Sequence, residues 1–110
     1  MCNTLLFSLV MILATQTQSA AELYVAANGN DAWSGGLAAP NEQKTDGPFA
    51  TLERARDEIR KMKKKPGESP AGVTVWIRGG DYHLDKTFEL VAEDSGSEKM
   101  PIAYRAYKDE

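Results

Sequence analysis

Hydrophobic and polar positions divide this chain into an apolar leader and a patterned remainder. Leu5 to Ala14 is an almost unbroken apolar run, interrupted only by Ser8. A bilayer-spanning helix takes about 20 apolar residues, so this run is too short to be a stable membrane span. Its length fits the hydrophobic segment of a secretory signal. A polar stretch from Thr15 leads to Ser19-Ala20-Ala21, a small-x-small pattern that predicts cleavage after Ala21. Residues 1–21 therefore read as a signal peptide and 22–110 as the exported part, secreted or periplasmic. Met1 to Thr4 carries no Lys or Arg, so only the α-amino group supplies positive charge ahead of the apolar run.

Beyond the leader, the pattern alternates between β and helical periods. Glu22 to Ala27 opens as a short strand with Tyr24 and Val25 at its centre. Asn28-Gly29-Asn30-Asp31 is turn chemistry, and a loop rich in Gly, Ala, Asn and Pro runs on to Asp46-Gly47-Pro48. That loop is long for a compact domain, a mark of segments that pack or bind. Thr51 is placed to cap a helix on which Leu52, Ala55, Ile59 and Met62 form one apolar face. Acids come early on this helix and bases late, as its dipole favours, and Pro66-Gly67 stops it.

Val73 to Arg78 is the best strand pattern, with Val73, Val75 and Ile77 on one face and Thr74, Trp76 and Arg78 on the other. Apolar residues on both sides predict a strand covered on both faces. Gly79-Gly80 ends it. Shorter β-like pieces follow at Tyr82 with Leu84, at Thr87 to Val91, and at Ile102 to Tyr107. A polar loop, Glu93 to Lys99, separates the last two.

Charge and composition narrow the function classes. All 13 basic and 16 acidic residues lie after residue 21, so the net charge of −3 belongs to the exported part. That balance offers no basic face for nucleic acid. Cys2, the only cysteine, leaves with the leader, which removes disulfides, thiol nucleophiles and cysteine metal ligands. Only 22 apolar side chains larger than alanine follow residue 21. So thin a core predicts a segment that leans on further chain.

The candidate chemistry is sparse. Asp81, Asp85, Glu89, Glu93 and Asp94 are carboxylates, but nothing selects a pair facing across a scissile bond. They read as surface acids. His83 is the only histidine and suggests no metal site, and we read it as a partly exposed strand residue. Asn28 to Asp31 offers oxygen ligands without EF-hand spacing, so a turn is the simpler reading. Trp76 reads as core, and Trp33, in a Gly-rich loop, as the better exposed ring for sugar stacking. The basic run Arg60 to Lys65 reads as a solvated helix end. No catalytic, cofactor-binding or metal residue is assigned, and the substrate-binding residues are unknown.

Several blocks in order carry a resemblance: Leu23 to Asp31; Gly47 to Leu52 running into Ala55-Arg56; Val75 to Tyr82; Glu93 to Gly96; and Pro101 to Tyr107. Together they resemble the N-terminal cap region of secreted bacterial right-handed parallel β-helix proteins, the pectate lyase-like and β-helix glycoside hydrolase-like superfamily. The resemblance implies a mainly β fold with one capping α-helix: a cap and first coils of a truncated β-helix. Such coils cannot bury their apolar faces alone, and an amphipathic helix laid over the first coil would close the open end. It also implies that the partner of residues 22–110 is the β-helix downstream, and that the parent protein acts on polysaccharide as a hydrolase or lyase. The segment itself would be non-catalytic. Calcium is possible in the parent and unsupported here. Two other classes stay open: a non-catalytic β-helix surface or adhesion protein, and a small exported carbohydrate-binding module.

Overall fold

The computed structural model describes residues 20–65, 70–84 and 86–108. Residues 1–19 of the 21-residue leader, Asp85 and the Pro66-Gly67 helix stop lie outside these residues. Strands β1 (Ala21–Val25), β2 (Val73–Ile77) and β3 (Ile102–Ala106) form one sheet in the order β1-β2-β3. Both pairings are parallel. Helix α1 (Leu52–Lys63) lies between β1 and β2 in the chain, and a 3-10 turn (Ala92–Asp94) lies between β2 and β3. The architecture is thus a small mixed α/β unit.

The rungs run straight across the sheet. Ala21, Val73 and Ile102 form one; Leu23, Val75 and Tyr104 another; Val25, Ile77 and Ala106 a third. Because side chains alternate along a strand, these rows share the inner face. There Leu23, Val25, Val73 and Val75 join Phe49, Ala55, Ile59 and Met100 in a single core cluster. Helix α1 supplies Ala55 and Ile59 as its fully inward positions, with Leu52 and Met62 packed at the margin. The three- and four-residue spacing of those side chains is why the helix lies along the sheet as it does.

The helix start is built by two side chains. Thr51 Oγ accepts from the Arg54 N–H at 3.2 Å, the expected cap. Asp31, from the turn after β1, accepts from the Ala50 and Thr51 N–H groups at 2.8 and 3.0 Å and from the Thr51 hydroxyl at 2.9 Å. The turn is therefore stapled to the helix.

The long loop has a structural role as well. Tyr24 N–H donates to Gly35 O at 2.8 Å, Phe49 N–H donates to Tyr24 O at 2.8 Å, and Ala26 N–H donates to Phe49 O at 2.9 Å. These bonds close the edge of β1 that faces away from β2. Two glycines permit the close approach. A Cβ on Gly29 would stand 2.2 Å from Phe49 O, and one on Gly35, whose φ is +75°, would stand 2.4 Å from the Phe49 ring. The sheet is therefore asymmetric: loop 31–49 covers the β1 edge, whereas no described residue pairs with the outer edge of β3.

Two strand expectations need correction. Tyr82 with Leu84 and Thr87 to Val91 are irregular among the described residues. Leu84, Leu90 and Val91 are about half exposed and have no neighbouring strand to complete a ladder. The second correction concerns β2, which is covered on one face only. Its outer side chains, Thr74 and Trp76, are half-buried beside open hollows.

Candidate functional site

The outer face of the sheet holds a broad concave surface. Its central row follows from the register, which aligns Tyr24, Trp76 and Arg105 across the three strands. Beside it runs a row of smaller groups, with Thr74 and Ala103 next to Glu22. A hollow of about 590 Å³ is bordered by Glu22, Tyr24, Trp76, Arg105, Tyr107 and Lys108. A second, of about 390 Å³, is bordered by Thr74, Trp76, Ala103 and Arg105 together with Gly72 and Pro101. Trp76 and Arg105 border both.

The aromatic groups are held in place by defined contacts. Trp76 Nε1 donates to Glu22 Oε2 at 2.8 Å, and the Tyr24 hydroxyl donates to the same oxygen at 3.3 Å. Tyr107 meets Tyr24 edge-on at 5.9 Å and Trp76 edge-on at 6.2 Å, the arrangement that ring quadrupoles favour. Arg78 and Lys108 approach the Tyr107 ring, with their cationic groups 4.7 and 5.2 Å from its centroid. Arg105 has no hydrogen-bond or ion-pair partner for its guanidinium among the described residues. Burial raises the Tyr24 hydroxyl pKa, and the Glu22 charge adds to the effect. Such a face offers ring surfaces, a held carboxylate acceptor and the exposed cationic groups of Arg105 and Lys108.

The residues weighed from sequence are distributed differently. Asp81 and His83 are exposed at a smaller hollow of about 190 Å³ beside Thr51 and Leu52. Glu89 contributes its backbone carbonyl to Arg56 at 3.0 Å. Asp94 is buried and bound by Arg60, while Glu93 stays half-exposed beside it. Asn30 accepts from the Ala32 N–H at 2.8 Å, and the Asp31 carboxylate is occupied at the helix start, so this turn spends its oxygens on backbone and hydroxyl donors. Among the described residues, no three His, Cys, Asp or Glu side chains converge. No described helix is long and apolar enough to cross a membrane.

The two tryptophans exchange their expected roles. Trp33 is half-buried against the loop, and a Cβ on Gly47 would fall 2.7 Å from its ring. Trp76 faces the hollows. Sequence reasoning missed the Tyr24-Trp76-Arg105 row because its members come from three distant segments. The alternation of β2 carried part of the signal, since it placed Trp76 opposite the Val73, Val75 and Ile77 face.

No protein-family model matches this chain, and no curated protein does. One solved structure, a protein named "Glycoside hydrolase", is similar at a TM-score of 0.67 with 30% sequence identity. The similarity covers 82% of this chain and 14% of that one. The chain thus shares its fold, over most of its own length, with a short part of a much longer protein named for glycoside hydrolysis.

Proposed function

We propose that this chain is the leading part of an exported carbohydrate-active protein, in which residues 22–110 form the N-terminal cap and first stacked strands of a right-handed parallel β-helix. The segment is structural and does not catalyse. One observation carries this reading: the sheet is closed on its β1 edge and, among the described residues, unpaired on its β3 edge. Straight parallel rungs taken in chain order are what successive coils of a β-helix produce. An edge sealed by loop 31–49 suits a terminus, and an unpaired parallel edge suits continued stacking. The similarity to a short part of a protein named glycoside hydrolase supports the carbohydrate class.

Two assays test the reading. The purified segment is expected to give no turnover on pectin, xylan or related polysaccharides, because no convergent acid–base pair is assembled among the described residues. Reproducible release of reducing ends or unsaturated sugars, lost on replacing one of its carboxylates, contradicts it. For export, N-terminal sequencing of extracellular or periplasmic material is expected to begin at Glu22. An intact Met1 terminus in that soluble fraction contradicts it.

A further inference from the structure

We propose that folding controls leader removal: strand β2 and the processing protease compete for the Ala21 backbone, so docking of β1 shuts off cleavage after Ala21. This rests on the export reading above and adds the regulation of its cleavage site. The expected cut falls inside the sheet. Strand β1 starts at Ala21, whose N–H donates to Gly72 O at 2.8 Å. In a parallel ladder, a residue that donates to its neighbour also accepts from that neighbour, two residues further along. The Ala21–Val73 register therefore gives the Ala21 carbonyl the Thr74 N–H, just as Val25 O takes the Arg78 N–H at 2.8 Å.

Hydrolysis needs that same carbonyl. Water adds across the Ala21–Glu22 amide, leaving a carboxylate on Ala21 and an ammonium on Glu22. The protease must aim its own donors at the Ala21 oxygen as negative charge develops there, a position that β2 already fills. It must also hold the chain as an extended strand around the bond. Beyond the bond, Leu23 is 4% exposed in the core, and the Glu22 carboxylate accepts from Trp76 Nε1 at 2.8 Å. Ala21 itself packs at the core margin. Cleaving the folded chain thus requires pulling the start of β1 out of the sheet. The cut in turn removes Ala21 from its rung with Val73 and Ile102. A processed chain starts its first strand at Glu22, which Trp76 and Tyr24 hold.

Order of addition tests this with the precursor, residues 1–110, and a purified bacterial type I signal peptidase in detergent micelles. Precursor unfolded in urea is diluted either straight into peptidase or into buffer, to refold before peptidase is added. Refolded precursor is expected to be cut at least about tenfold more slowly than precursor met unfolded. Val75 is fully buried in β2, and Val75→Asp is expected to be cut at the same fast rate in both orders. Equal rates for the parent chain in both orders, with Glu22 as the new terminus, overturn the proposal and leave the export reading intact. So does a Val75→Asp variant that slows as much as the parent, since aggregation rather than β1 docking would then hide the bond. No cut in either order, or a terminus other than Glu22, overturns the export reading and the proposal with it.

Discussion

Asp94 shows how far one residue's role depends on a partner remote in sequence. Its carboxylate receives Arg60 Nε at 2.7 Å and a second guanidinium nitrogen at 2.8 Å, and also the Val91 N–H at 2.8 Å. Its side chain is 3% exposed, whereas that of neighbouring Glu93 is 52% exposed. The Arg60 hydrogen bonds outweigh the opposing effect of burial and hold the Asp94 pKa at about 2. An unfolded Asp titrates near 3.9, so this group's contribution is fully present above about pH 4. It is lost as pH falls through about 2. Thermal melts from pH 5 to pH 2 should therefore show a steep acid loss that Asp94→Asn reduces. At pH 7 the same variant should lower Tm by roughly 5 °C or more, since it takes one charge from a bidentate pair. An unchanged acid profile would show that the pair does not anchor the fold. Sequence reading saw a surface acid here because nothing in Glu93-Asp94 tells which of two adjacent carboxylates turns inward. That choice is made by Arg60 on α1.

Among the elements, α1 and the three strands were readable, because each shows its own period over enough residues. Helix α1 carries a three- and four-residue apolar stripe and a capping threonine. Strand β2 carries clean alternation. Segments 82–84 and 87–91 were misread because a β-like composition becomes a strand only beside a partner strand. In the structure the second stretch and the 3-10 turn that follows it are tied to α1 through polar contacts instead: Arg56 to Glu89 O, Arg60 to Asp94, and Lys63 to the Glu93 and Ser95 carbonyls. The helix start offers a sharp test. Thr51→Ala should cost about 1 kcal/mol, as other caps do. Asp31→Ala should cost more, because three hydrogen bonds end on that carboxylate. The double variant should fall short of additivity, since Thr51 donates directly to Asp31. Urea unfolding of the three variants decides it, and a fully additive pair would show that the staple is not cooperative.

The whole molecule is defined by the difference between its two sheet edges. The thin core was visible in the sequence. The closing of the β1 edge by loop 31–49 was not, because it depends on backbone bonds from Gly35 and Phe49 that carry no side-chain signature. On the other edge, Pro101 O accepts from Val73 N–H and Tyr107 N–H donates to Ile77 O. Backbone groups of a parallel strand alternate between its two neighbours. The N–H groups of Ala103, Arg105 and Tyr107 therefore face β2, and those of Ile102, Tyr104 and Ala106 face outward. If the chain is the start of a stacked structure, those outward amides await a next strand. Residue-resolved hydrogen exchange of the monomeric segment measures this directly. Fast exchange is expected at Ile102, Tyr104 and Ala106, with slower exchange at Ala103 and Arg105 and slowest at the β2 amides. Slow exchange at all β3 amides in a monomer, to the level of β2 and with a single sharp thermal transition, would contradict it.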